Sequence, residues 1–324
     1  MDVRGSGPIR IGVSSCLLGQ EVRFDGGHKR NDFLTETLGG FVEFVAVCPE
    51  VDIGLGIPRE SLRLVRGEDG AVRMIANKSG ADLTKTMNAY AERRAAALER
   101  EDLSGYVLKK DSPSCGMERV RVYGRAGMPA RHGRGLFAEA LMRCLPDLPV
   151  EEEGRLNDPN LRENFIERVF AYHRLRELFA ARGTRWTVGA LVAFHTAHKL
   201  TLMAHSPRAY AELGRLVADS KRVERAALRE RYAAEFMAAM KKLAMPARHV
   251  NVMQHIAGYL RDRCDEDSRR ELMETIEEYR HATVPLVVPL TLIRHWVRRF
   301  DLAYLKGQTY LEPHPRELML RNHV

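Results

Sequence analysis

The stretch Ile9–Gly19 (IRIGVSSCLLG) decides how the chain is read. Its first six residues, IRIGVS, carry alternating apolar side chains and run into a Ser-Cys turn, so a short strand over Ile9–Ser14 delivers Cys16 just past its carboxyl end. The same arrangement recurs twice. Phe41–Val47 (FVEFVAV) reads as a strand ending on Cys48, and Tyr106–Lys109 reads as a short strand followed, through Asp111-Ser112-Pro113-Ser114, by Cys115. Thr84–Leu98 between them has helical spacing. Strands alternating with helices predict an α/β domain with a mostly parallel, Rossmann-like sheet. Val120–Tyr123 (VRVY) is a further strand whose sheet the sequence leaves open.

In a parallel sheet the carboxyl ends of neighbouring strands share one edge, where α/β proteins bind ligands. Three thiols distant in sequence are therefore expected to meet in one crevice. Three thiolates without a fourth suit a metal centre that keeps one position vacant: soft sulfur ligands select zinc or iron-sulfur clusters, and a vacancy permits Lewis-acid chemistry. The competing reading is three buried, unreactive cysteines, a common role for free Cys. The turn-rich settings SSCLLG, CPE and SPSCG weigh against it. Cys144, in the helix-like run Gly135–Leu145, and Cys264, in the charged stretch Arg261–Arg270, read as packing residues.

The 324 residues exceed the usual size of one domain, so two domains are expected. No apolar signal-peptide core precedes the first strand, and the longest apolar run, Val284–Ile293, is too short to span a bilayer and contains Pro285 and Pro289. A cytoplasmic protein with no membrane partner is expected, and in that reducing setting five cysteines argue against a disulfide framework. Glu151–Pro159 reads as an acidic linker. Beyond it nearly everything has helical spacing: Leu161–Ala181, Val188–Met203, Pro207–Ala218 and Arg225–Leu243. Tyr304–Pro315 (YLKGQTYLEPHP) reads as an extended tail.

The net charge of +8 is confined to this second half, where 28 Lys and Arg from Leu156 onward stand against 20 Asp and Glu. Such an excess suits a polyanion such as RNA, or equally a set of solvated helix faces. Arg185, Trp186, His195, Lys199, Tyr304, Gln308 and Tyr310 mix cations with planar rings as RNA readers do, although aromatics at helical spacing are more often core. His195 and His198 at i and i+3, with His205 further on, have a spacing that could bind metal but lack an obvious carboxylate partner.

Five motifs in order, SSCLLG (14–19), VRFDGGHKRN (22–31), CPE (48–50), GIPRE (56–60) and KKDSPSCG (109–116), resemble the thiouracil desulfidase family of TudS type over residues 7–152. RWTVGALVAFHTAHKLTLMAHS (185–206) and GQTYLEPHP (307–315) resemble the YbgA-type domain, covering residues 158–324. Together they resemble the fused RudS type, which implies an iron-sulfur-dependent, non-redox desulfidase converting 4-thiouridine in tRNA to uridine. The resemblance implies a 4Fe-4S cluster held by Cys16, Cys48 and Cys115, with one iron not ligated by protein, and catalytic roles for Glu50 and Ser112. One departure, the segment VDIGLGIPRESLRLV after CPE, differs from the Gly-Gly-Leu and Pro-rich segment usual in stand-alone members.

Read as chemistry, Glu50 is placed to act as general base on water or to shuttle a proton, and Ser112 to orient water or the base edge. Their bland alternatives are a helix-start carboxylate and ordinary turn chemistry. Asp25, His28, Arg59 and Ser114 are substrate-binding candidates, with Asp25 and His28 in a turn and Arg59 open to a surface ion pair instead. Desulfidation of free thiouracil or a thiolated metabolite, and a nucleic-acid-binding module with a structural or sensing metal site, are the alternative functions.

Overall fold

The computed structural model describes residues 7–124, 128–179 and 186–323. It divides into two compact units, Pro8–Asp158 and the chain from Pro159 onward.

The first unit is α/β, with two four-stranded sheets. One has the order β2 (Glu43–Val47), β1 (Arg10–Ser14), β5 (Leu103–Leu108), β8 (Val150–Glu152), and every pair in it is parallel. Strand β5 is buried at all six positions and β1 at four of five, as expected of central strands covered on both faces. Gly12 opposes Tyr106 across this pair, and a Cβ there would lie 2.2 Å from the Tyr106 ring. The ring fills that space and meets Phe137 at 5.9 Å, on α3 (Leu136–Cys144), which packs against α2 (Thr84–Glu99).

The strand Val120–Tyr123 joins a second sheet of order β4 (Val72–Ala76), β3 (Leu62–Arg66), β6 (Val120–Tyr123), β7 (Pro129–Gly133), in which β3 and β6 run parallel and the flanking pairs antiparallel. Strand β7 carries Pro129, Arg131 and His132 in place of an apolar alternation. The acidic run is also more ordered than a linker. Glu151 and Glu152 complete β8, and Glu151, Glu152 and Glu153 are all buried because each accepts from a nearby donor.

The second unit is helical: α4 (Pro159–Phe179), α5 (Val188–His205), α6 (Pro207–Ala218), α7 (Arg225–Met240), α8 (Pro246–Leu260), α9 (Glu266–Arg280), α10 (Val287–Arg299) and the single turn α11 (Ala303–Lys306). Helix starts follow capping chemistry. Thr187 Oγ1 accepts from Ala190 N at 3.0 Å, Asp265 from Ser268 N at 2.7 Å, and Pro207 occupies the first turn of α6. Pro289 is tolerated because it too lies in a first turn, that of α10. Tyr304–Pro315 is not an extended tail. It begins in α11 and then straps onto α5, with Thr309 N donating to Ala197 O at 2.9 Å and Gln308 Nε2 to Thr196 O at 2.8 Å, while Tyr310 is fully buried. Among the described residues no helix is long and apolar enough to cross a membrane. Arg185 lies outside the described residues.

Burial pushes His198 and His249 down to about 3 and His195 and His314 down to about 4, whereas His205 is raised: burial opposes its protonation, but Glu167 at 3.1 Å overcomes that. An imidazole with a depressed folded pKa contributes stability fully above about pH 6.5 and loses it as pH falls toward that folded value, whereas the His205 contribution is present below about 6.5 and lost on the alkaline side. Four depressed groups outweigh one. The midpoint of thermal unfolding, followed by the helical circular-dichroism signal, is expected to fall by several degrees between pH 7.5 and pH 5; a rise would contradict the buried-neutral assignment.

Candidate functional site

Strands β2, β1 and β5 are neighbours in register, with Ser14 opposite Val47 and Val13 opposite Val107, so their carboxyl ends lie side by side. Cys16 follows β1 in a 3-10 turn (Ser15–Leu18), and Cys48 follows β2 as N-cap of the one-turn helix α1 (Pro49–Asp52). Cys115 follows β5 at the end of the loop 109–115. All three thiols line one cavity of about 350 Å³. Convergence from strand ends thus holds. None of the five cysteines is in a disulfide, and Cys144 and Cys264 do not line this cavity.

The Cys115 loop is pinned at both ends. Before it, Glu153 accepts from Lys110 N at 2.7 Å and from Lys109 Nζ at 2.5 Å; after it, Glu152 accepts from Met117 N at 2.7 Å. From the side, the amides of Leu136, Phe137 and Ala138 at the start of α3 donate to Pro113 O and Ser114 O. Gly135 lets α3 approach this closely, since a Cβ there would fall 2.4 Å from Ser114 O.

Burial is the main influence on all three thiols, raising Cys16 to about 11, Cys115 to about 12, and Cys48 above its ordinary value. Lys109 draws Cys16 partway back, a backbone amide does the same for Cys48, and a hydrogen bond with Ser14 for Cys115. Thiolates here need a cationic centre to exist near neutrality, as metal coordination supplies. Among the described residues no three His, Cys, Asp or Glu side chains gather tightly enough to hold a single metal ion. The sulfurs share a cavity and feel each other's charge. Three soft sulfur donors in one cavity are a ligand set that fits an iron-sulfur cluster.

Glu50, on α1, faces the same cavity with its carboxylate fully engaged. Arg59 donates from Nε at 3.0 Å and Nη2 at 2.8 Å to Oε2, and Ser114 Oγ donates to Oε1 at 2.7 Å. The pair is nearly dry, with the Arg59 side chain 7% and the Glu50 side chain 14% exposed. Arg59 also binds Val22 O and Gly56 O, so its guanidinium orients Glu50 and the wall rather than standing ready for a phosphate. Ser112 touches Glu50 only through Ser114. Its Oγ accepts from Cys115 N at 3.1 Å and lies 3.0 Å from Ser114 Oγ. Since the Ser114 proton points at Glu50, the Ser112 hydroxyl is the donor in that contact, giving a relay Ser112 to Ser114 to Glu50.

Asp25 and His28 do not line the cavity. Asp25 closes its own turn, accepting from Gly27 N at 3.1 Å beside Arg23, and His28 Nδ1 accepts from Arg30 N at 3.1 Å. Their neighbours do line it: Arg23, the 40%-exposed Phe24, and Lys29. Sequence reasoning missed these and Lys109. The signal was available, since the run Arg23-Phe24 sits in a motif already singled out, but a turn does not reveal which side chains it turns inward.

His195, His198 and His205 do not form a metal group: His195 Nδ1 meets Tyr232 Oη at 3.1 Å, His198 Nδ1 meets Phe194 O at 2.8 Å, and His205 binds Lys242 O and Glu167. Trp186 meets Phe179 edge-on, Tyr304 stacks on Tyr259, and Tyr310 and Gln308 are buried, so these side chains serve the helical core.

Residues 11–153 match the model of the 2-thiouracil desulfurase family, and residues 199–315 match a protein family of unknown function, DUF1722. The uncharacterized protein YbgA of Escherichia coli (strain K12) is 34% identical over 161 residues, which is 49% of this chain and 94% of the relative. The uncharacterized protein YbbK of Bacillus subtilis (strain 168) is 33% identical over 108 residues, 32% of this chain and 71% of the relative. A solved [4Fe-4S]-dependent thiouracil desulfidase, TudS, is 33% identical, with 46% of this chain and 94% of that one covered and a TM-score of 0.38.

Removing Arg59 would leave the Glu50 carboxylate buried without its cation, a change that costs about 3 kcal/mol in comparable pairs. Arg59→Ala is therefore expected to lower the denaturation midpoint of the first unit, and Arg59→Ala combined with Glu50→Gln to recover part of it. Equal stability of Arg59→Ala and wild type in a urea titration would contradict the geometry.

Proposed function

Because the chain belongs to the family that joins a 2-thiouracil desulfurase domain to a DUF1722 domain, we propose that it is an iron-sulfur-dependent desulfidase that hydrolyses the thiocarbonyl of a thiolated nucleobase, with 4-thiouridine in tRNA as its substrate. The observation that carries this reading is the joint presence, in one cavity, of three unpaired thiols and a desolvated carboxylate. Cys16, Cys48 and Cys115 would hold a 4Fe-4S cluster, leaving one iron without a protein ligand. When bound, such a cluster supplies a soft Lewis acid for a thiocarbonyl sulfur.

The protein residues account for the proton chemistry. The net reaction exchanges C=S for C=O, consumes one water and releases hydrogen sulfide, with no net electron transfer. Glu50 takes a proton from the attacking water and returns it to the departing sulfur. Arg59 fixes the carboxylate in place, while Ser114, backed by Ser112, holds Oε1 toward the cavity. Lys109 and Arg23 add positive charge to a wall where sulfide must form.

Two features favour a base presented by RNA. Phe24 at the cavity wall offers a ring on which a splayed base can stack, with Lys29 beside it for a phosphate, and the Lys and Arg surplus of the helical unit suits a polyanion. A cavity of about 350 Å³ would also admit a free base, so free 2-thiouracil is the second substrate to compare.

Anaerobically reconstituted protein is expected to convert 4-thiouridine in tRNA to uridine. Cys48→Ala should abolish turnover. Glu50→Gln should keep the cluster's visible absorption but lose at least about a hundredfold in rate, within the range for a general acid-base group. Full activity in iron-free protein would sink the reading, and turnover of free thiouracil with none on tRNA would move it to the second substrate.

A further inference from the structure

The helical unit contains a cavity of about 910 Å³, well separated in sequence from the cysteine site and built between α4, α5, α10 and the strap after α11. Its size lies in the range of small-molecule pockets, and much of its wall is apolar, with Phe194, Leu178 and Val297 among the lining side chains. Two features of this wall leave bonding capacity unused: a histidine nitrogen without a hydrogen-bond partner and two arginines without an ion-paired carboxylate among the described residues.

The first is His198, which is 2% exposed and lines the cavity. Its Nδ1 lies 2.8 Å from Phe194 O, a carbonyl that can only accept, so the ring proton sits on Nδ1 and Nε2 carries a lone pair. That Nε2 is buried and has no hydrogen-bond partner. A buried acceptor left unpaired is costly, and it calls for an N–H or O–H donor.

The second is a pair of guanidinium groups. Arg174 donates to Pro313 O, and Arg294 donates to Leu311 O at 3.2 Å and Thr291 Oγ1 at 3.0 Å. Neither makes an ion pair with a carboxylate among the described residues. Burial lowers both to about 10; the charges of Glu167 and Glu177 act on Arg174 in the opposite sense, whereas Arg294 has other arginines as its charged neighbours. Of the two carboxylates in the wall, Glu312 is already paired with Arg316, and Glu177 lies 3.7 Å from His173 Nε2. Arg298 adds a further cation at the exposed edge, where Lys306 is paired with Asp301.

We propose that this cavity is a binding site for a nucleoside monophosphate unit, its phosphate against Arg174 and Arg294, its base between the apolar walls, and a base N–H donating to His198 Nε2. The phosphate answers the unpaired cations, the planar body answers the apolar walls, and the donor answers the open lone pair. This site is independent of the desulfidase reading, because none of its residues lines the cysteine cavity.

Isothermal titration of the full-length chain with uridine 5′-monophosphate tests it. Saturable binding is expected, with uridine and inorganic phosphate each weaker by at least about tenfold, since each lacks one half of the recognition. His198→Phe keeps the ring stacked on Phe194 but removes the acceptor, and Arg174→Gln removes one cation; each is expected to weaken binding about tenfold or more. A short oligouridylate that competes would place the nucleotide within RNA, and one that does not would make the free nucleotide the ligand. No binding, phosphate binding as tight as the nucleotide, or affinity unchanged in both variants would overturn the proposal. The comparison of the three ligands on wild-type protein reads out even where a variant fails to fold, and Cys48→Ala protein should bind unchanged whatever its desulfidase activity.

Discussion

Parallel pairing of three strands is the constraint on which the rest depends. With β1 between β2 and β5, and Ser14, Val47 and Val107 near the same level, three segments separated by dozens of residues must end on one edge. Shifting one pairing would withdraw a thiol from the cavity. Gly12 is part of this lock, because only a residue without Cβ leaves space for the Tyr106 ring on the neighbouring strand. A larger side chain at position 12 would push apart the two strands that carry Cys16 and Cys115.

Charge is arranged around the edge so that a buried anion can be handled without water. Lys109 is held by Glu153, Arg59 by Glu50, and Arg23 beside Asp25, which leaves each cation oriented at the wall. The thiols are then the groups whose ionisation is least favoured, and a cationic centre among them would relieve that penalty. The acidic segment Glu151–Glu153 belongs to the same machinery: it is the counterweight that holds both ends of the Cys115 loop.

Much of the site was legible because its signals are local. A strand followed by a turn and a cysteine reads the same way three times, and the placement of Cys16, Cys48 and Cys115 at β1, β2 and β5 follows. Several elements were harder because their signals are not local. In the second sheet β7 (PARHG) has no apolar alternation to read, and Glu151 looks like a linker residue until its partner Arg155 is seen. Ser112 and Ser114 are indistinguishable in a turn-forming run; only distances show that Ser114 bears on Glu50 while Ser112 supports it from behind. Arg59 reads as a substrate-binding residue or a surface ion pair in sequence, and its burial against Glu50 depends on a turn that brings residues 22 and 56 to the same guanidinium.

The central claim is that three separated thiols hold a multinuclear iron-sulfur centre rather than a single ion or nothing. Iron and acid-labile sulfide measured per chain in anaerobically purified protein address it most directly. About four of each are expected, together with a broad visible absorption that oxygen bleaches. One equivalent of zinc without labile sulfide, or metal-free protein after anaerobic reconstitution, would contradict it.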